Sequence, residues 1–191
     1  MKCLVVYAHP NPFSFNHAVK NEVVNVLKSK GHEVKITDLY DMEFDPVLKP
    51  EDFNLMFNGK VAADIKPEQD KIAWADMIIA VYPIWWTGFP AILKGYFDRT
   101  LTYGFAYAFE EGRLVQPLKD KRALLISTHG QPKELYEAGM YQSLINTQDV
   151  GVFEFCGIKA DQHIFFPAMM QSSEETRKDY LKSLKETLEK L

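Results

Sequence analysis

The sequence predicts an α/β protein built around a doubly wound parallel sheet. Short, continuous apolar runs alternate along the chain with segments whose apolar residues recur every three or four positions. Continuous apolar runs are typical of strands that are buried on both faces of a parallel sheet, and the longer period is typical of helices that pack on it. Right-handed crossovers between such strands would place helices on both faces of the sheet.

The predicted strands lie at residues 3–7, 34–39, 76–82, 123–127 and 158–166. The predicted helices lie at residues 16–30, 67–75, 90–101 and 135–150, followed by a last helix that starts at Ser172 with a capping-box pattern to Glu175. Residues 105–118 predict a two-stranded excursion around Glu111 and Gly112. Residues 40–66 are the least regular part and predict a long loop, of the kind that often covers a site.

Composition and charge indicate one ordinary globular domain over residues 1–191. The formal net charge of −4 gives no reason to expect nucleic acid or an anionic membrane surface as a partner. Cys3 and Cys156 each lie in an apolar run, which predicts reduced core thiols. The sequence shows no signal-peptide core and no uncharged run long enough to span a bilayer, so a cytoplasmic location without membrane insertion is expected.

Three loops are candidates for ligand binding because of their position in a doubly wound sheet. Such sheets bind them outside the carboxyl ends of the strands, near the point where the strand order reverses. The loops that follow the first, third and fourth predicted strands are residues 8–16, 83–89 and 128–136. Each has a composition that suits a particular task, and each also has an ordinary structural explanation.

The first loop, residues 8–16, joins the first strand to a helix. Ser14 and Asn16 lie where that helix begins, and the free backbone N–H groups there favour an anion such as phosphate. His9 adds a side chain that can donate a hydrogen bond. The loop has neither a Gly-x-Gly-x-x-Gly turn nor a Walker A sequence. The alternative is that Ser14 only caps the helix and that His9 is a plain loop residue.

The second loop, residues 83–89, contains the adjacent tryptophans Trp85 and Trp86. Tryptophan is costly to leave in water and is usually enclosed or placed at an interface. At the ligand edge of the sheet, both side chains could line a flat aromatic cofactor whose polar rim bonds the backbone N–H groups of the loop. Ordinary core packing is the alternative, and it is the interpretation adopted for Trp74 in the preceding helix.

The third loop begins with Thr128, His129 and Gly130. Its small and polar residues could direct hydrogen-bond donors at a negative charge that develops in a reaction, or they could form only a helix-capping turn. No His or Cys lies at metal-ligand spacing from His129, so no metal site is predicted. A Ser-His-Asp hydrolase is disfavoured because the chain lacks a Gly-x-Ser-x-Gly elbow.

Taken together and in order, these motifs resemble the NAD(P)H:quinone oxidoreductases of the DT-diaphorase type, in a short bacterial form. The resemblance covers most of the chain. Residues 8–10 with Ser14 and Asn16 are similar to the family's flavin-phosphate loop, and residues 83–95 are similar to its isoalloxazine loop and the following helix. The turn at residues 128–130 resembles a Thr-Gly-Gly turn under the flavin. The family implies a flavodoxin-like fold with five parallel strands in the order 2-1-3-4-5.

The resemblance also implies which residues form each part of the site. FAD, with FMN as the alternative, would be held by residues of the three loops, namely His9, Ser14, Phe15, Asn16, Pro83, Ile84, Trp85, Trp86, Thr87, Thr128 and Gly130. Residues 105–109 are similar to an aromatic segment that reaches a neighbouring subunit's site, and they imply a homodimer. Tyr107 and Phe109 of that segment, with Phe155 of a Phe-Cys-Gly landmark, would line the substrate pocket.

The proton relay is the part in which this chain departs from the family. The family's catalytic Tyr and His follow the third loop, and family members often have Gly where this chain has His129. If Gly139 anchors the alignment, Tyr141 takes the His position; if Tyr136 keeps the Tyr role, a one-residue gap is needed. The catalytic residues are therefore predicted in the order Tyr141, Tyr136 and His129.

The predicted function is a flavin-dependent NAD(P)H oxidoreductase that reduces quinones or related aromatic acceptors by two-electron, ping-pong hydride transfer. One alternative is a flavodoxin-like electron carrier without NAD(P)H activity of its own, although the sequence shows no marked acidic docking patch. The other is the regulatory reductase subunit of a membrane potassium-efflux transporter. The choice between NADH and NADPH, and the physiological acceptor, stay open at this point.

Overall fold

The structure is a computed structural model that describes residues 1–191. Its central sheet is parallel. Its strands are β1 (Lys2–Tyr7), β2 (Glu33–Asp38), β3 (Met77–Pro83), β6 (Arg122–Thr128) and β7 (Lys159–Phe166). They are hydrogen-bonded in the order β2-β1-β3-β6-β7. Numbered along the chain without the small hairpin, this is the order 2-1-3-4-5, so the predicted topology is confirmed. The hairpin is the predicted excursion and consists of β4 (Ala108–Glu110) and β5 (Arg113–Val115).

Helices connect the strands and cover both faces of the sheet. They are α1 (Phe15–Ser29), α2 (Pro50–Phe57), α3 (Lys66–Trp74), α4 (Ala91–Thr100), α5 (Lys133–Glu137), α6 (Met140–Leu144) and α7 (Glu174–Leu188). A π-helical segment (Ile145–Phe153) and a 3-10 turn (Glu154–Cys156) follow α6. None of the helices is both long enough and apolar enough to cross a membrane.

The sheet separates two apolar clusters, because the side chains of its central strands alternate between the two faces. One cluster contains Tyr82 and packs under α3, α4 and the π-helical segment. The other contains Val5 and packs under α1 and α7, whose Leu184 and Leu188 are buried as the apolar seam of that helix predicts. Cys3 and Cys156 are buried free thiols in opposite clusters. Because all five strands are parallel, they end at the same edge of the sheet, and the loops that follow them lie there.

Residues 50–57 form α2 within the segment that the sequence predicts to be a loop. None of its side chains is fully buried, so apolar periodicity does not reveal it. The helix is instead held by Arg99 of α4, whose guanidinium lies 3.1 Å from Asp52 Oδ1 and 2.6 Å from Asp64 Oδ2. Polar contacts over long sequence distances thus form this helix, and they override a weak local signal.

The predicted helix at residues 135–150 is divided into α5, α6 and the π-helical segment. Gly139 has a φ of 134°, which no α-helical residue adopts, and it ends α5. The start of the last helix also differs by one residue. Ser173, rather than Ser172, caps α7 by accepting a hydrogen bond from the backbone N–H of Thr176 at 3.1 Å.

Candidate active site

The three loops selected from the sequence meet at the carboxyl edge of the sheet and surround a cavity of about 390 Å³. The segment between β7 and α7 completes the wall. The lining residues are His9, Phe13, Ser14, Phe15, Asn16, Pro83, Ile84, Trp85, Thr128, His129, Gly130, Met169, Met170 and Arg177. Of the residues predicted to hold a cofactor, only Trp86 and Thr87 are absent from this wall. A mixed apolar and polar cavity at this edge is the usual ligand site of a doubly wound sheet.

Asn16 joins the first loop to the third. Its side chain is buried, its Nδ2 donates to Thr128 Oγ1 at 2.8 Å, and its Oδ1 has no hydrogen-bond partner. An unpaired buried polar atom costs about 1–3 kcal/mol. Because the Thr128 hydroxyl can donate as well as accept, a rotation of the Asn16 amide by 180° would keep this bond and place the NH₂ group where the unpaired Oδ1 now lies. The pair therefore fits a bound anionic group.

His9 and Ser14 also fit an anion. The backbone N–H of Asn11 donates to His9 Nδ1 at 3.0 Å, so the neutral imidazole carries its proton on Nε2, which has no protein partner. Burial lowers the pKa of His9. Ser14 accepts from the backbone N–H of His17 at 3.2 Å, so it caps α1 and lines the cavity at once. The start of α1 adds its unpaired backbone N–H groups.

The second loop is a tight two-residue turn. Trp85 and Gly88 exchange backbone hydrogen bonds at 3.1 and 3.2 Å, and the residues between them, Trp86 and Thr87, have φ of 48° and 56°. Left-handed residues at both central positions are typical of a type I′ turn, which usually contains Asn or Gly. Trp85 is partly exposed and lines the cavity, whereas the Trp86 side chain is fully exposed. The chain thus offers one tryptophan to a ligand here and holds the other in solvent.

His129, Tyr136 and Tyr141 form one cluster behind the third loop. The Tyr141 hydroxyl lies 2.9 Å from His129 Nε2, and the Tyr136 ring stacks on the imidazole with 3.8 Å between centroids. Burial lowers the pKa of His129 to about 4 and raises the pKa of Tyr141 to about 12. Both groups are therefore neutral near pH 7, and only His129 lines the cavity. The cluster holds no free acid or base of ordinary pKa, and the second imidazole nitrogen, Nδ1, is buried without a hydrogen-bond partner.

The aromatic residues predicted for the substrate pocket lie away from this cavity. The rings of Tyr107 and Phe155 are 5.1 Å apart and line a second cavity of about 440 Å³ between α2, α4 and the π-helical segment. The two cavities share no lining residue. Phe109 lies on β4 with an exposed side chain. Within one chain, Tyr107, Phe109 and Phe155 therefore do not line the cavity that the three loops form.

Arg177 and Met170 line the cavity without having been predicted. Arg177 lies in the first part of α7, where its Nη2 donates to the carbonyl of Met169 at 3.0 Å and its Nε donates to Ser172 Oγ at 2.8 Å. Met170 lies against Gly130, 3.6 Å from the position that a Cβ there would take. Both follow β7. Residues 167–173, which join β7 to α7, form a fourth loop at the same edge of the sheet, so the strand-end rule would have pointed to Met170 and to the start of the helix that carries Arg177.

Comparison with known proteins places the chain among flavodoxin-like proteins. The whole chain, residues 1–191, matches the family model described as flavodoxin-like fold. An uncharacterized NAD(P)H oxidoreductase of Haemophilus influenzae is 40% identical over 180 residues, covering 93% of this chain and 89% of the relative. NAD(P)H dehydrogenase (quinone) 1 of Cavia porcellus is 31% identical over an alignment of 211 residues, covering 100% of this chain and 77% of the relative.

A solved structure agrees with these relatives. The NAD(P)H:quinone oxidoreductase of Methanothermobacter marburgensis superposes with a TM-score of 0.88 at 28% identity, covering 99% of this chain and 98% of the other. Fold and cavity thus define a flavodoxin-like protein with a ligand site at the carboxyl edge of its sheet. Within that fold, the chain belongs to the NAD(P)H:quinone oxidoreductase family. The family resemblance predicted from the sequence is confirmed.

Proposed function

We propose that this chain binds a flavin in the cavity between the three loops and reduces quinones or related aromatic acceptors with NAD(P)H. The observation that carries the proposal is the convergence of the three loops on one cavity at the ligand edge of the sheet. The family, and the activities named for the relatives, support the same reaction. When bound, the flavin supplies the redox chemistry, accepting a hydride from NAD(P)H and passing it to the acceptor in a ping-pong cycle.

The first loop would hold the phosphate of the flavin. His9 Nε2, the rotated Asn16 amide and the start of α1 would be the donors on one side of the cavity. Hydrogen bonds to a charged group are each worth about 1.5–3 kcal/mol. FAD is proposed over FMN because the same cavity extends to Arg177, a cation that suits a second phosphate group.

The flat ring system of the flavin would lie against Pro83, Ile84 and Trp85, with the third loop beside it. The backbone N–H of Gly130, which has no partner within the chain, would be a donor for the charge that develops on reduction, with the His129–Tyr141 pair beside it. Tyr141 keeps first place in the proposed relay because its hydroxyl bonds His129. Tyr136 takes second place because it only stacks on that ring.

A homodimer is part of the proposal. Tyr107, Phe109 and Phe155 lie outside the flavin cavity of their own chain, so they would serve a flavin only if a second copy presented them. An isologous dimer is the commonest assembly that pairs such a surface with a site on the other subunit. Sedimentation at working concentration tests this, and a fully active monomer would contradict it. The cytoplasmic location stays a prediction.

Four measurements on the purified protein test the function. A visible absorption spectrum shows whether flavin is bound or taken up, and release followed by chromatography separates FAD from FMN. Steady-state assays with NADH or NADPH and a quinone then measure turnover. Negligible turnover of a flavin-loaded protein would indicate an electron carrier, and retention by transporter-containing membranes would indicate a regulatory subunit. A protein that neither carries nor takes up flavin would refute the proposal.

A further inference from the structure

A buried polar network lies behind the cavity, where β3, β6 and β7 pack on the π-helical segment. Its centre is His163 of β7. The Nδ1 atom of His163 lies 2.9 Å from Asp149 Oδ1, and its Nε2 atom lies 3.0 Å from Ser127 Oγ and 3.2 Å from the Tyr82 hydroxyl. The Tyr82 hydroxyl donates in turn to Gln148 Oε1. All of these side chains are buried.

The connection of Ser127 to His163 and Asp149 has the order of a hydrolase triad, but the enclosure excludes that role. Ser127 is 0% exposed and lines neither cavity, so no substrate reaches its hydroxyl. A buried carboxylate is also costly, since replacing such polar sets by apolar side chains is often neutral or stabilising. Packing alone therefore does not account for Asp149. The alternative is that the network positions the groups to which it is bonded.

The hydrogen bonds assign one arrangement of protons. The Asp149 carboxylate only accepts, so Nδ1 of His163 carries the proton and Nε2 of the neutral imidazole accepts. The Tyr82 proton is committed to Gln148, which leaves the Ser127 hydroxyl as the donor to Nε2. Burial lowers the pKa of His163, which favours this neutral form. Asp149 thus sets the tautomer of His163.

One arm of the network reaches the loops of the cavity. Tyr82 and Ser127 are paired in register near the ends of β3 and β6, and the next pair in register is Pro83 with Thr128. Pro83 and Thr128 both line the cavity, and Thr128 also accepts the hydrogen bond from Asn16. Ser127 bonds the end of β6 to His163, while Tyr82, whose hydroxyl lies 3.2 Å from the same nitrogen, bonds the end of β3 to Gln148, the neighbour of Asp149. The network therefore holds the two strand ends from which the second and third loops begin.

The other arm reaches the proposed relay. The His163 ring stacks on Phe165 with 3.9 Å between centroids and 19° between planes. Phe165 lies against the Tyr141 ring at 4.4 Å, and Tyr141 bonds His129 at the cavity wall. His163 therefore contacts the ends of the strands on one side and, through Phe165, supports the Tyr141 ring on the other.

We propose that His163 is a positioning residue for hydride transfer: held by Asp149 in one tautomer, it sets the ends of β3 and β6 and, through Phe165, the orientation of Tyr141. The inference rests on the proposed function, because it assigns the network a role in the reaction at that cavity. Misplacement of reacting groups by about 1 Å can cost about 100-fold in rate, so loss of this support is measurable.

Asp149→Asn and Tyr82→Phe test the proposal. Asp149→Asn replaces a carboxylate that only accepts with an amide that can also donate to Nδ1, so the imidazole is no longer fixed in the tautomer that accepts from Ser127. Tyr82→Phe removes one hydroxyl and leaves the ring. The matched control is Tyr96→Phe, a buried tyrosine of the same apolar cluster whose hydroxyl lies 3.4 Å from Glu68 Oε2, outside the network.

The flavin-loaded enzyme is measured in three ways: the limiting rate of flavin reduction by NADPH in stopped flow, the visible circular dichroism of the bound flavin, and thermal unfolding. We expect Asp149→Asn and Tyr82→Phe to slow reduction by about 10-fold or more and to change the dichroism. Tyr96→Phe should keep the rate of flavin reduction and the dichroism at the wild-type values, even if it loses as much stability as the network variants do. If Asp149→Asn does not fold, Ser127→Ala carries the same expectation.

Two results would overturn the proposal, and they differ. If the wild type is active and the network variants lose stability but keep the wild-type rate and dichroism, the network is structural only and this inference alone fails. If the wild type takes up no flavin, the proposed function fails and this inference fails with it.

Discussion

Acid should destabilise this protein through His129. Burial lowers the pKa of this imidazole from 6.5 to about 4 in the folded protein. The folded state therefore prefers the neutral ring, whereas the unfolded chain takes up a proton near pH 6.5. The contribution of His129 to stability is fully present above about pH 6.5, and it is lost as the pH falls from there to about 4.

The loss follows from the difference between the two pKa values. Each pH unit between them removes about 1.4 kcal/mol from the free energy of unfolding. The loss should reach about 2 kcal/mol at pH 5 and about 3 kcal/mol when both states are protonated. Solvent screening reduces these values little, because His129 is only 3% exposed.

The assay is urea unfolding of the flavin-free protein at pH 8 and pH 5. His129→Gln keeps a side chain that can bond Tyr141 but does not titrate, so it should lose about 2 kcal/mol less than the wild type between the two pH values. His17→Gln, which removes an imidazole of α1 outside this cluster, is the control and should follow the wild type. Equal losses for His129→Gln and the wild type would refute the reasoning, since another group would then cause the acid sensitivity.

Three further outcomes are expected. Asn16→Ala should weaken flavin binding by about 1.5–3 kcal/mol in a fluorescence titration, and an unchanged affinity would reject the phosphate-loop assignment. Tyr141→Phe should bind flavin yet slow a stopped-flow half-reaction by about 10²–10³, the cost of one lost donor, whereas Tyr136→Phe should stay near wild type; the reverse ranking would move the role to Tyr136. Gly95→Ala should lower the urea midpoint by the equivalent of about 1–3 kcal/mol, because its Cβ would lie 2.2 Å from the Pro46 carbonyl oxygen, and a wild-type midpoint would show that this loop yields freely.

The sheet and its ligand edge could be predicted from sequence because their signals are local. The buried strands appear as continuous apolar runs, and the strand-end rule then places the loops around Asn16, Trp85 and Thr128 at one edge. The helix α2 could not be predicted in this way. Its stability comes from Arg99, which lies 47 positions from Asp52 in the sequence, rather than from an apolar face.

The parts of the site that sequence reasoning missed depend on side chains that are distant along the chain. His163 and Asp149 are 14 residues apart, and Tyr82 is 81 residues from His163. Nothing in their local sequence shows that they meet, because only the packing of the π-helical segment brings Asp149 to β7. The turn at Trp86 was missed for another reason, since neither of its central residues is the Asn or Gly that normally marks a type I′ turn.

That turn gives the protein an optical reporter of its own. Trp86 and Thr87 are both held in the left-handed region, a conformation that costs non-glycine residues roughly 1–2 kcal/mol each. One of the three indoles is therefore held in water at a cost in stability, next in sequence to Trp85, which lines the cavity. Any molecule that covers this edge, whether a nicotinamide, an acceptor or a second copy of the chain, would move the Trp86 ring to a less polar environment. Its emission should then shift to shorter wavelength, and a Trp86→Phe variant would show how much of the signal comes from that ring.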